Sequence, residues 1–356
     1  MNDKLKIGIW GAGRRMQDYY APIFDYLKDK YEVVGFWNRN PDKAKMVVDK
    51  FGFKHFSNEK DLAEQSDALV VVVNSGAIEQ VTLSLINFGK PIFVETPIWS
   101  KAVPEYARHK GVSVAVAEQT AFLPSEQFKM KLLENAYEFL GPPHVVMNDC
   151  RTFEYHGLAQ LRRYIGFSKR PITIQGTSHS MQVPPYLDGN FNLQHHVENW
   201  DFGTIKFESG QTAVYNFSSI GNRCRFRRPR SLRIYCEKGT ISNDDNDFSL
   251  YILKAGGSTF NPPVDIERIP LEDSIEGKTV KIEAELPERG RKVVWQASYP
   301  KLGDHQEAIE YLLSNFKDHV KMGSPLIYDA QQGWNDFRLL MAIRQSAQSG
   351  QTLRVG

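Results

Sequence analysis

Short apolar runs alternate with amphipathic stretches along the first 120 residues. Runs rich in Val, Ile, Phe and Trp occupy 5–10, 32–37, 68–73, 91–94 and 112–117. Each is apolar on both faces of an extended chain, which predicts buried strands of a parallel sheet. Between them, apolar residues recur at helical spacing over 17–29, 41–51, 78–88 and 101–109, predicting four helices. Pro41 sits in a first helical turn, where its missing N–H is not needed, and Gly52 and Gly89 follow helices as stops. The alternation predicts an α/β fold, a parallel sheet covered on both sides, for an N-terminal Rossmann domain over 1–121.

Beyond Pro124 the rhythm changes. A helix is expected over 125–140, ended by Gly141-Pro142-Pro143. Strand-like pieces follow at 144–147 and 150–155. The runs 202–208 and 212–218 flank Ser209-Gly210 as a hairpin, and 232–236 is a further strand. The stretch 243–291 reads as a polar region rich in turn residues. Helical patterns over 305–321 and 330–349 and a short strand at 352–355 close the chain. Strands in series followed by helices predict a second domain, α+β, over 122–356.

Composition narrows the class. At 356 residues the chain exceeds one ordinary core, and 41% hydrophobic with 24% charged residues is typical of soluble globular proteins. The longest apolar run, 68–73, is too short to span a bilayer, and the N-terminus lacks a signal-peptide core, so no membrane partner and a cytoplasmic location are expected. Cys150, Cys224 and Cys236 lack metal-ligand spacing and fit a reducing compartment. A net charge of +2 gives no electrostatic case for nucleic acid. The basic run 223–230, with Arg162 and Arg163 upstream, is either a solvated loop or a site for an anionic group on a substrate.

Gly11-Ala12-Gly13-Arg14-Arg15-Met16 follows a strand and opens a helix. In that context the first glycine permits a tight turn and the second lets backbone approach a pyrophosphate, which the helix N-terminus favours. Met16 stands where a third small residue would bring helix and strand together. After the second strand comes Asn38-Arg39, with no carboxylate for the ribose hydroxyls. Nothing there repels a 2′-phosphate, so NADP is favoured over NAD, although Arg39 can equally stack on adenine. Asn74, after the third strand, and Glu95 and Thr96, after the fourth, complete the candidate cofactor-binding set.

Gly89-Lys90-Pro91-Ile92-Phe93-Val94-Glu95-Thr96-Pro97 resembles the approach to the Glu-Lys-Pro motif of the glucose–fructose oxidoreductase / inositol dehydrogenase (Gfo/Idh/MocA) family. Phe122-Leu123-Pro124 is similar to that family's domain-crossing segment. Trp200 to Phe207 with Gly210 resembles its sheet hairpin, and Gly323-Ser324-Pro325, Asp329 and the last helix its C-terminal return. The resemblance implies a Rossmann domain and a second domain built on a large mixed, mostly antiparallel sheet. The open face of that sheet often forms an oligomer interface, implying a homodimer or homotetramer. The implied reaction is hydride exchange between NAD(P) and a carbon of a sugar, sugar derivative or polyol.

Two departures bear on the chemistry. Thr96 replaces the family lysine, leaving a hydrogen bond but no charge or useful pKa. Positioned acid–base groups contribute roughly 10²–10⁴ in rate, so another residue must act or the reaction is not simple alcohol oxidation. The family's Asp-x-Gly-x-His pattern has its nearest match in Gln175-Gly176-Thr177-Ser178-His179. His179 is thus the leading candidate acid or base, with a structural histidine as the alternative. His195 and His196 are rivals; on a strand they point to opposite faces, so at most one serves a site. Tyr155 is a further catalytic candidate, and His156 and Arg163, with His195 and His196, are candidate substrate contacts. No HExxH or CxxC spacing supports a metal. Two alternatives to a dehydrogenase stay open. One is a lyase, epimerase or glycosidase using bound NAD(H) as an internal hydride carrier; the other is a non-catalytic ligand-binding protein.

Overall fold

The computed structural model describes residues 4–151, 154–187, 192–195, 197–219, 230–244, 247–253, 264–267, 271–272, 278–286 and 291–355. The chain starts with β1 (Leu5–Trp10), a π-helical turn (Met16–Tyr20) continuing as α1 (Ala21–Tyr26), β2 (Tyr31–Trp37), α2 (Pro41–Phe51) and α3 (Glu59–Gln65). It goes on through β3 (Ala68–Val71), α4 (Ser75–Ile86), β4 (Ile92–Val94), α5 (Ala102–Lys110), β5 (Val114–Val116) and a 3₁₀ turn (Gln119–Phe122). Next come α6 (Pro124–Asn135), α7 (Tyr137–Leu140), β6 (Pro143–Arg151), α8 (Glu154–Ile165), β7 (Pro171–Gln182), β8 (Tyr186–Leu187), β9 (Leu193–Gln194), β10 (Val197–Phe207) and β11 (Thr212–Ser218). Then follow β12 (Ser231–Cys236), β13 (Gly239–Asp244), β14 (Asp247–Leu253), β15 (Val264–Glu267), β16 (Leu271–Glu272), β17 (Lys281–Leu286) and β18 (Arg291–Gln296). The chain ends in α9 (Asp304–Met322), α10 (Ala330–Ser349) and β19 (Leu353–Arg354).

Two compact units result. The first comprises Met1–Leu123 and Lys301–Phe337, the second Pro124–Pro300 and Arg338–Gly356. This differs from the expected contiguous division at 121/122, because 301–337 returns to the first unit. The reason lies in its apolar side chains and its backbone. Phe316 packs its ring 5.6 Å from that of Phe93, and Tyr311 stacks on Phe122 at 5.8 Å. The Tyr328 carbonyl accepts from the Val116 amide at 3.0 Å, covering the open side of edge strand β5.

The first unit's sheet is fully parallel in the order β2-β1-β3-β4-β5, as the apolar runs predict. β3 is buried at all four positions. The second unit holds a nine-stranded sheet, β15-β14-β13-β12-β6-β11-β10-β7-β19, in which only the β11–β6 pair is parallel. The fold class is the expected one, a Rossmann sheet plus a mixed, largely antiparallel sheet. β7 and α8 were not expected as elements, and the piece 150–155 divides between the end of β6 and the start of α8. The turn-rich reading of 243–291 also gives way to strands β14 to β17.

Candidate functional site

Because the five strands are parallel, the loops after β1, β2, β3 and β4 leave the same edge of the sheet. Winding reverses between the neighbours β1 and β3, the place where such sheets bind ligands. Gly11, Gly13, Arg14 and Arg15 follow β1, Asn38 and Arg39 follow β2, Asn74 follows β3, and Glu95 and Thr96 follow β4. The structure therefore brings all the predicted cofactor residues to one edge.

Gly11 has φ 118°, and a Cβ there would collide with the Val72 carbonyl, so the turn itself requires glycine. A Cβ on Gly13 would meet nothing within 4 Å. The space over Gly13 is open to an approaching ligand. Met16 is fully buried and begins the π-helical turn. Arg14 is exposed and pairs with Asp18 at 3.0 Å. Asn38 Nδ2 donates to the Asn40 carbonyl at 2.7 Å, and Asn40 Oδ1 accepts from the Lys43 amide at 3.0 Å, capping α2. Arg39 is exposed, and among the described residues it makes no ion pair. Asn74, also exposed, stands at the N-cap of α4.

The loop after β4 is anchored by charge. Glu95, only 6% exposed, accepts at Oε1 from Arg15 Nε at 2.8 Å and from the Tyr20 hydroxyl at 2.7 Å. Arg15 Nη2 donates to Gln119 Oε1 at 2.8 Å, and its guanidinium lies 4.1 Å from the Tyr19 ring centre. Burial works against the Arg15 charge, but Glu95 together with Tyr20 and Tyr19 outweighs it and raises the pKa. Burial first and the Glu95 charge second push the Tyr20 phenol well above its ordinary value, so it remains a neutral donor. This network fixes Glu95, and through the chain Thr96, against the first turn of the glycine loop's helix.

In the second unit, register places Ile174, Gly176 and Ser178 on the same sheet face as Asp201, Gly203 and Ile205 and as Ala213, Tyr215 and Phe217. Helices α8 and α10 cover that face. A Cβ on Gly157 of α8 would lie 2.8 Å from Cys150 Cβ and 3.0 Å from Tyr215 Cε2, and one on Gly176 would strike the Ile343 carbonyl of α10. His179 alternates to the other face. There it is exposed, sits opposite Trp200 in register, and its ring meets Phe202 edge-on at 6.3 Å. Tyr155 and His156 open α8, both buried, with ring centres 4.4 Å apart. Arg344 holds the start of this helix by donating to Glu154 Oε1 at 3.1 Å and to Asp201 Oδ2 at 3.0 Å. The sheet thus separates His179 from Tyr155 and His156.

The other candidates are dispersed. Arg163 is half-buried, and its charge lowers the pKa of Lys129, after the larger effect of burial. Lys129 is fully buried, donating to Glu126 Oε1 at 2.7 Å and Asn243 Oδ1 at 2.5 Å, while the Tyr164 hydroxyl donates to Glu126 Oε2 at 2.7 Å. His195 is exposed between β9 and β10, and His196 lies outside the described residues, as does the run 223–229. Among the described residues, no three His, Cys, Asp or Glu gather as a metal site would require.

Residues 5–118 match the family model of the Gfo/Idh/MocA oxidoreductases, described as an oxidoreductase family with an NAD-binding Rossmann fold. The match is to that family's NAD-binding part and covers this segment alone. A Saccharomyces cerevisiae protein, YMR315W, is 27% identical over 152 residues, 39% of this chain, and the matched stretch spans 41% of that relative's length. Solved structures share the fold across the chain. An NAD-binding oxidoreductase from Klebsiella pneumoniae superposes with a TM-score of 0.71 at 15% identity, covering 99% of each chain. UDP-N-acetylglucosamine 3-dehydrogenase from Acidithiobacillus ferrooxidans gives 0.67 at 14% identity, covering 97% of this chain and 98% of its own. Aldose-aldose oxidoreductase from Caulobacter crescentus gives 0.67 at 16%, covering 99% and 100%. Within the matched segment, and just beyond it, sequence reasoning overlooked Tyr19, Tyr20 and Gln119. Gln119 carried a usable signal, since it follows the end of β5 on the same sheet edge. The two tyrosines carried none, because their helical turn reads as ordinary core.

Proposed function

We propose that the chain is an NAD(P)-dependent oxidoreductase exchanging a hydride between its nicotinamide cofactor and a carbinol carbon of a carbohydrate or polyol. The observation carrying this reading is the convergence of Gly11–Gly13, Asn38-Arg39, Asn74 and Glu95-Thr96 on the sheet edge where the winding reverses. The residues fit a dinucleotide. Gly11 admits no side chain and Gly13 leaves open space, while the amides of a first helical turn have no partner within the helix and favour an anion. Arg39, free of carboxylate pairing among the described residues, suits a 2′-phosphate and favours NADP. When bound, the cofactor supplies the hydride acceptor or donor.

The chain's own residues do the rest. Arg15 and Tyr20 hold Glu95, which keeps Thr96 in place. The Thr96 hydroxyl orients a bound group by a hydrogen bond and transfers no proton. The first candidates for proton transfer are Tyr155 and His156 at the start of α8, held by Arg344 through Glu154, and the second is His179 on the other face of that sheet. The carbohydrate class is supported by the sugar-directed names of two structural relatives. Incubating the protein with NADP or NAD and a panel of sugars, polyols and keto-sugars should change the absorbance of reduced cofactor. Silence across the whole panel overturns the reading. A second reading, in which the cofactor is an internal hydride carrier, rests on the resemblance of Glu95-Thr96-Pro97 to a Glu-Lys-Pro motif, which puts threonine in the lysine's position. The protein would then purify with cofactor and form product without net reduction. A cofactor-free preparation that stays fully active excludes it.

A further inference from the structure

The loop that leaves β4 carries an unusual side chain three residues after Thr96. Trp99 is 37% exposed although it is the largest apolar residue type. Its orientation is set by surrounding structure. The indole N–H donates to the Ser75 carbonyl at 3.3 Å, tying Trp99 to the turn that holds Asn74. Its ring meets Phe337 edge-on, with centres 5.0 Å apart and planes at 82°. Phe337 in turn touches Trp334, at 6.2 Å, and both are half-buried. Below them Ile98 is buried against Gly333, where a Cβ would lie 2.9 Å from Ile98 Cγ1, so glycine permits α10 to seat on this loop. Ser100 Oγ donates to Glu79 Oε1 at 2.8 Å and pins the loop's far end to α4.

A single exposed aromatic residue needs no explanation. Three in series, with Phe337 touching both tryptophans, fixed from two helices and adjoining both the Asn74 turn and Thr96, form a prepared surface. Their rings are rigid, so a ligand loses little conformational freedom in stacking on them. The face of an aromatic ring carries negative charge density and attracts the slightly positive C–H bonds of a partner. A cyclic carbohydrate or polyol presents such a face, with hydroxyls around its rim.

We propose that Trp99, backed by Phe337 and Trp334, is a stacking wall that takes the C–H face of the substrate's sugar or cyclic polyol ring. It thereby selects cyclic over open-chain substrates. The inference rests on the proposed reaction for its substrate class, but its test reads binding and needs no turnover.

The probes are D-glucose, D-xylose and myo-inositol as rings, and D-sorbitol as an open chain, each offered to the NADP-saturated full-length protein. Binding is followed by saturation-transfer NMR, with the cofactor Kd measured separately by calorimetry. At least one ring should bind with transfer strongest at its C–H protons and more tightly than sorbitol. Trp99→Ala should weaken it by roughly tenfold or more, Trp99→Phe should retain most of the affinity, and both variants should keep the cofactor Kd within twofold. Ring binding that survives Trp99→Ala unchanged overturns the wall. So does a failure of every ring to bind the wild type, or sorbitol binding as tightly as the rings. A cofactor Kd that rises together with the ring's in both variants assigns Trp99 to loop integrity and equally overturns it. Rings that bind through Trp99 while no panel member is turned over leave the wall standing and remove the redox reading instead.

Discussion

Single side chains separate the cofactor and proton-transfer assignments. Arg39 is exposed at the end of β2 and makes no ion pair among the described residues, so its role is visible only with cofactor present. Charge-assisted hydrogen bonds contribute about 1.5–3 kcal/mol. Arg39→Ala should therefore raise the Kd for NADP by roughly ten- to a hundredfold and leave that for NAD nearly unchanged, as measured by calorimetry. Equal losses for both would put Arg39 against the adenine. The proton-transfer residues can be told apart in the same way. His156→Gln should lower kcat by roughly 10²–10⁴, the range for a positioned acid or base. His179→Ala should leave kcat within about threefold, because His179 faces the opposite side of the sheet from α8. A collapse of turnover in the His179 variant alone would return the acid–base role to the open face.

Among elements, α6, α8 and β13 are joined by the buried Lys129, Glu126, Tyr164 and Asn243 group. Removing one partner strands the other charge out of water. Lys129→Met should cost about 3–5 kcal/mol in a urea titration, as broken buried pairs do. A change below about 1 kcal/mol would mean that Glu126 is taken up by its neighbours. The same region shows where sequence reading stops. The strands of the first unit and α2 were legible because both faces of each strand, or one clear stripe of the helix, are apolar. The glycine loop and the loops after β2, β3 and β4 were equally legible, since parallel topology alone places them on one edge. β7 was hidden because its inward positions Gly176 and Ser178 carry no apolar side chain, Gly176 lying against Ile343 of α10 and Ser178 donating to Asp201, so no apolar alternation remains. α8 was hidden because its buried stripe includes the polar side chains of Tyr155, His156, Arg162 and Tyr164, which blur the apolar pattern. For His179, the motif match could not tell which face of an unrecognised strand the side chain would take.

At the scale of the molecule, buried phenols set the response to alkali. Burial raises the pKa of Tyr20, Tyr164 and Tyr215 well above the ordinary 10.0. Above pH 10 the unfolded chain loses these protons while the folded one keeps them, so each phenol's contribution is complete below pH 10 and is lost as pH rises further. Lys129, lowered from 10.5, acts oppositely, its contribution growing with pH up to that value. Stability should therefore fall clearly above about pH 10.5, by up to about 1.4 kcal/mol per pH unit for each phenol, and the melting temperature with it. Tyr20→Phe should reduce that slope in scanning calorimetry, and an unaltered slope would show that Tyr20 ionises freely. The return of residues 301–337 to the first unit has a further consequence, for synthesis. Domains generally fold as they emerge, N-terminal first. Here the nascent nucleotide-binding half leaves the ribosome with the Phe93 ring lacking its Phe316 partner and the β5 edge lacking its Tyr328 partner, and it stays so until translation has passed Tyr328. The first part to be made is thus among the last to be finished, and chaperone contacts during elongation should concentrate on it.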